Sequence, residues 1–165
     1  MDPFKTFGWQ ISKDGLTIRH DFNSLFGSSL ANVYVTKGKW YYEVLLITDG
    51  LMQIGWANKK FVAAPAIGKG VGDENHSWAV DLNRKLKWHQ SEFSTELPYG
   101  HVTWVSGGIV QFYLDLDERR MGFGYNGQYL GDAFEGIEVD GGICPAVSGN
   151  LENEIQFNFG ETPFK

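Results

Sequence analysis

One cysteine in 165 residues leaves nothing from which to build an internal disulfide framework. Cys144, set in Gly142-Ile143-Cys144-Pro145-Ala146-Val147, reads as a buried structural thiol and points to a reducing, intracellular and cytoplasmic setting. No apolar run approaches the roughly 20 residues of a membrane span, and no signal peptide opens the chain, so no membrane partner is expected. Positive charge is short as well: 14 Lys+Arg stand against 20 Asp+Glu, a net charge of −6. Nucleic acid and anionic membrane surfaces both demand a basic face, so neither is expected, and basic or neutral partners are mildly favoured.

Patterns that carry chemistry are equally scarce. His20, His76, His89 and His101 are scattered, with no pair at metal-ligand spacing. None lies near Cys144 to act as its base, and no Gly-x-Ser-x-Gly elbow is present. Gly68, Gly70 and Gly72 miss the spacing of a phosphate-binding loop and precede no helix, so they read as a loop with unusual backbone angles. Asp115, Asp117 and Glu118 could in principle hold a hard cation, but Arg119-Arg120 beside them offers neutralisation. His20-Asp21 and Asp73-Glu74-Asn75-His76 resemble fragments of acid–base machinery that strand ends and turns also produce. No metal, cofactor or catalytic residue is expected.

Aromatic side chains are plentiful: six Trp, seven Tyr and twelve Phe. They bury large areas and so carry much of the packing. In Gly38-Lys39-Trp40-Tyr41-Tyr42-Glu43-Val44, period two puts Trp40, Tyr42, Val44 and Leu46 on one strand face and Tyr41, Glu43 and Leu45 on the other. Met52-Gln53-Ile54-Gly55-Trp56-Ala57 reads as the neighbouring strand. Lys13-Asp14-Gly15 turns Phe7–Ser12 back on Leu16–His20, and Asn126-Gly127 turns Met121–Tyr125 into Gln128–Leu130. Asn32–Thr36 precedes the Trp40 strand, His76–Leu82 pairs with Leu86–His89, and Val110–Asp115 with Met121–Tyr125. Ile143–Val147 and Glu154–Phe159 close the series, the latter with Ile155, Phe157 and Phe159 inward. About a dozen short strands with polar turns predict an all-β sandwich or barrel. No linker or repeat divides it. Lys59–Asp73 reads as a long ordered loop. Trp78, Trp88 and Trp104 read as packing residues; the alternative is a lectin-like sandwich in which they stack on carbohydrate.

Nine motifs in order carry a family likeness. They are Gly38–Val44; Gln53-Ile54-Gly55-Trp56-Ala57; Gly70-Val71-Gly72-Asp73; Ser77-Trp78-Ala79-Val80-Asp81; Leu114-Asp115-Leu116-Asp117; Phe123-Gly124-Tyr125-Asn126-Gly127; Leu130-Gly131-Asp132-Ala133-Phe134; Cys144-Pro145-Ala146-Val147; and Phe157-Asn158-Phe159-Gly160. In order and spacing, from about Phe7 to Phe164, the chain resembles a SPRY (B30.2-like) domain. It is most similar to those of RING-type ubiquitin ligases and of SOCS-box adaptors. The resemblance implies a bent antiparallel β-sandwich. The Met1-Asp2-Pro3 start and abrupt Lys165 end suit a single domain excised from a longer protein, and no exposed edge or apolar stripe calls for more than a monomer. The resemblance implies no enzymatic activity, and binding of a short protein or peptide segment for substrate recruitment to a ubiquitin ligase or for assembly scaffolding. The adaptors' contact positions fall on Arg19 and Asp21, on Asp49-Gly50-Leu51, on Ile67 and Gly68, and on Gly149-Asn150-Leu151. Exposed Leu51, Ile67 and Leu151 would supply apolar anchors and Arg19 a charged hydrogen bond. Where the adaptors present a tyrosine and a tryptophan, this chain has Ile67 and Asn150-Leu151, which implies a ligand of different sequence. Gly107-Gly108 stands where the family often carries Gly-Asp, which implies different hydrogen bonding there.

Overall fold

The computed structural model describes residues 1–21, 26–90, 95–96 and 102–165. His101 lies outside them. Fourteen strands are described: β1 (Thr6–Phe7), β2 (Trp9–Ile11), β3 (Thr17–His20), β4 (Gly27–Leu30), β5 (Lys39–Leu46), β6 (Met52–Asn58), β7 (Ser77–Asp81), β8 (Leu86–Trp88), β9 (Thr95–Glu96), β10 (Ile109–Asp115), β11 (Arg120–Tyr125), β12 (Gln128–Glu135), β13 (Ile143–Gly149) and β14 (Glu154–Asn158). They form two seven-stranded sheets, ordered β1-β4-β13-β6-β7-β8-β9 and β12-β11-β10-β5-β14-β3-β2. Every strand pair in both sheets is antiparallel. Among the described residues no helix is long and apolar enough to cross a membrane.

The expected hairpins form. Trp9 pairs with His20 across the Asp14-Gly15 turn, and Asn126 and Gly127 both take positive φ between β11 and β12. Two readings change. Asn32–Thr36 supplies only a single bridge, Val35 to Ile143. Conversely Gly27-Ser28-Ser29-Leu30, which has the poor β-propensity of glycine and serine, is a buried strand paired on both sides. Its register is held by hydroxyls: Ser28 bonds Ser148 and Ser29 bonds Thr6, both at 2.7 Å.

The inward face of β5 behaves as its period predicts, with Tyr42, Val44 and Leu46 buried, while Trp40 at the strand's start stays 47% exposed. The outward face holds a finding. Glu43 is buried because the segment from Gly160 to Lys165 folds back over it. The Glu43 carboxylate accepts from the Tyr41 hydroxyl (2.7 Å), the Lys165 N–H (2.8 Å) and Asn158 Nδ2 (3.3 Å). Gln111 Nε2 donates to the Lys165 carbonyl (2.9 Å), and Phe164 meets Tyr41 edge-on at 4.7 Å. A buried carboxylate is tolerated when such donors surround it.

Two measurements check this packing. Trp56→Ala and Phe157→Ala, each emptying a fully buried site, are expected to lower unfolding free energy by about 3–5 kcal/mol in urea titration. Deleting Glu161–Lys165 is expected to cost about 1–3 kcal/mol, because Glu43 loses a charge-assisted donor and its cover. Glu43→Gln in the shortened chain should then restore part of that loss.

Candidate functional site

Three of the four segments singled out in the sequence meet around one buried side chain. Asn153 is 1% exposed at the entry to β14. Its Oδ1 accepts from the Asn150 N–H (2.8 Å), and its Nδ2 donates to the Asp49 carbonyl (3.2 Å). Its own carbonyl accepts from the His20 N–H (2.9 Å). Glu154 extends the clasp, its carbonyl accepting from the N–H groups of Ile47 and Thr48 and its N–H donating to Thr48 Oγ1. Arg19 Nε lies 3.9 Å from Glu154 Oε2, and the Asp21 N–H donates to the Gly8 carbonyl. Trp9 packs edge-on against His20 at 5.5 Å, and burial holds the His20 imidazole below its ordinary pKa.

The fourth segment joins less directly. Pro65–Ile67 forms a 3-10 turn that Gly68 ends in the left-handed region. Its continuation is tied to β13: the Val71 N–H donates to Ser148 Oγ at 2.9 Å. Gly70 is required there by close approach, since a Cβ would come 2.3 Å from that same Oγ. Ser148 precedes Gly149, so the long loop is anchored beside the clasp through residues 70 and 71 rather than through Ile67 or Gly68. Ile67 is 71% exposed and Leu151 47%. Leu51, expected to be exposed, is half-buried, because the next residue already begins β6. A depression of about 220 Å³ opens at this end, lined by Asp49, Gly50, Leu82, Asn83 and Trp104 among others. Leu82 and Asn83 carried no signal in the sequence and Trp104 read only as packing or carbohydrate stacking, for they belong to this end only through the packing of separate strands.

The candidates for chemistry are absorbed into structure. Glu74 accepts from the His76 N–H and the Ser77 hydroxyl, and Asp73 from the Gly70 N–H and Gln53 Nε2. Asp115 caps the turn through the N–H groups of Asp117 and Glu118. Its charge is met by Lys39 at 2.9 Å, which holds its carboxyl below the usual range, whereas Arg120 pairs with Asp132. Of the two arginines expected to neutralise this turn, Arg120 therefore serves β12 instead. Among the described residues no cluster of three metal-ligating side chains exists. Burial pushes the Cys144 thiol up to about 11, as befits a packing residue. Trp78 and Trp104 are buried, and Trp88 lies half-buried beneath the Arg84 guanidinium, so these three form no exposed stacking platform. At Gly107-Gly108 the backbone bonds Leu46 in both directions, and a Cβ on Gly108 would come 2.1 Å from the Tyr125 hydroxyl. A side chain there would require Tyr125 to move.

Two antiparallel sheets face to face, with ordered loops clasped at one end, define a β-sandwich whose distinctive surface lies on its connections. The family model described as "SPRY domain" matches residues 39–162, and the chain belongs to that family. It is 41% identical over 146 residues to the E3 ubiquitin-protein ligase RKP of Arabidopsis thaliana, covering 86% of this chain and 11% of that protein. It is 34% identical over 132 residues to the probable ATP-dependent RNA helicase ddx1 of Dictyostelium discoideum, covering 79% of this chain and 16% of the helicase. This chain thus matches a small part of each relative's length. The crystal structure of the SPRY domain of human HERC1 superposes with a TM-score of 0.81 over 98% of this chain and 99% of that one, at 17% identity. That likeness shows the fold.

Asn153→Ala tests the clasp. Leaving the Asn150 N–H and the Asp49 carbonyl unpaired is expected to cost about 1–3 kcal/mol. Amide exchange at Asn150 should accelerate beyond the change seen in the β5–β10 core.

Proposed function

We propose that this chain is a non-catalytic protein-interaction module that docks a short peptide segment or loop of a partner at its clasped loop end. It would act as one domain of a longer protein, recruiting a substrate to a ubiquitin ligase or joining subunits of an assembly. The observation that carries this reading is the Asn153 clasp. It holds the 49–51 and 149–151 loops to the end of β3 with the connections already ordered, so little conformational entropy remains to be lost on binding. Leu151 and Ile67 stand exposed as apolar anchors, and the 220 Å³ depression beside Asp49, lined by Asp49 and Asn83 as well as Leu82 and Trp104, is sized for one side chain rather than a drug-sized ligand. Arg19 offers a charged donor at the rim. The family and the likeness to a ubiquitin ligase favour a protein partner over a small molecule.

Leu151→Glu and Ile67→Glu are expected to leave unfolding free energy within roughly 0.5 kcal/mol, since both positions are exposed. Each should lose the same proteins in a quantitative pull-down from cell extract that wild type and Gln128→Glu retain. Equal recovery by all four would place the docking surface elsewhere.

A further inference from the structure

The depression at the loop end is lined by two kinds of residue. Leu46, Met52, Leu82 and Trp104, all core residues, contribute its apolar part. Asp49 and Asn83 contribute its polar part; both are exposed, and neither side chain makes a hydrogen bond or ion pair among the described residues. About 220 Å³ of space with such a lining suits a single side chain that has an aliphatic stem and a polar head. Asp49 is held in position through its backbone. Its carbonyl accepts from Asn153 Nδ2 at 3.2 Å, and Gly50 takes a φ of +118°, where an added Cβ would come 3.1 Å from that same nitrogen. A side chain at position 50 would press on the clasp. The backbone that carries the Asp49 carboxylate is therefore fixed while the carboxylate itself stays unengaged.

Charge around the depression is predominantly of one sign. The 19–21, 47–51 and 149–154 segments carry Asp21, Asp49, Glu152 and Glu154 against one arginine, Arg19, whose Nε lies 3.9 Å from Glu154. Arg84, in the turn after β7, is drawn off by Asp81 and lies over the Trp88 ring at 4.4 Å. The chain as a whole carries a net charge of −6, which adds to the local field. Each class of occupant fares differently here. An acidic or phosphorylated side chain would be repelled. An apolar one would cover a carboxylate without pairing it, and a buried unpaired charge is costly. A neutral amide would bond Asn83 but leave the Asp49 charge unmet. A lysine or arginine satisfies the whole lining: its stem packs on Leu82 and Trp104 while its head donates a charge-assisted hydrogen bond to Asp49.

We propose that the partner segment received at the loop end carries a basic side chain, lysine or arginine, which enters this depression and pairs with Asp49. The inference rests on the loop-end reading and adds to it the chemistry of the ligand. The test passes a synthetic nonapeptide library, randomised at every position, over the immobilised 165-residue chain. Peptides retained by wild type should be enriched in arginine and lysine at one position by about tenfold over the input, the discrimination that one close charge pair supplies. Asp49→Asn leaves the backbone bond to Asn153 in place, should unfold at the wild-type urea midpoint, and should retain peptides without that preference. Asp49→Lys should select aspartate and glutamate instead. Added to 15N-labelled chain, the selected basic peptide should shift the Gly50 and Asn83 amides and the Trp104 indole N–H. A retained pool with no basic preference, a preference that survives Asp49→Asn, or shifts at the loop end that spare these three groups would overturn the inference and leave loop-end docking standing. Retention of no peptide, or of a pool that Leu151→Glu and Ile67→Glu still hold unchanged, would overturn the loop-end reading and this inference with it.

Discussion

Tyr42 reaches from one sheet to the other. It is 1% exposed on β5, stacked on Phe112 at 4.5 Å and set edge-on to Trp56 at 4.9 Å, and its hydroxyl donates to the Gly55 carbonyl of β6 at 2.6 Å. A phenol in so apolar a place must find an acceptor, and only one register of the two sheets provides it. Gly55 is the complement, since a Cβ there would come 2.1 Å from the Trp78 carbonyl. This one inter-sheet bond therefore fixes how β5 sits over β6, and both strands end in the 47–51 connection.

The loop end inherits its precision from that arrangement. Once β5 and β6 are set, β14 beside β5 and β13 beside β6 are set by their ladders. The 150–153 connection must then pass close to Asp49. Asn153 turns proximity into order by bonding both loops at once. A surface built in this way owes its shape to the core and its chemistry to residues that the core leaves free to vary.

The strands announced themselves wherever local chemistry and global fold agreed, as at Asn126-Gly127 or in the alternation of Ile155 and Phe157. They stayed hidden where tertiary partners overrode propensity: Ser28 and Ser29 make a strand because Ser148 and Thr6 bond their hydroxyls. Glu43 lies on the outward face that its period assigns, but nothing local reveals that a distant segment will cover it. The loop positions put forward for docking rest on likeness to a family alone. Asn153 was not legible at all, because an asparagine before a strand gives no sign of which carbonyl it will meet 104 residues away. Leu51 misled for a related reason: a hydrophobic residue after glycine reads as a loop tip until the next strand begins one residue later.

The outer face raises a question of energetics that the core does not answer. Tyr41 and Tyr113 project from the opposite side of their strands from Tyr42 and Phe112, and Tyr129 packs on Tyr113 at 5.0 Å, so this row lies on the face turned away from the inter-sheet core. Tyr129 costs the chain a side chain at Gly122, one of the residues that a strand interior least favours. Burial pushes both the Tyr41 and Tyr129 phenols above their ordinary range, so these hydroxyls remain donors at every physiological pH. A sheet that needed only stability on this face would place threonine or valine there and keep its ladder regular. The bulges in β11–β12 pairing fall at Met121/Gly122 and Phe123/Gly124, on the strand pair over which Tyr129 folds back. Bulges re-aim side chains, and here the re-aimed side chain closes an aromatic groove that the fold itself does not require.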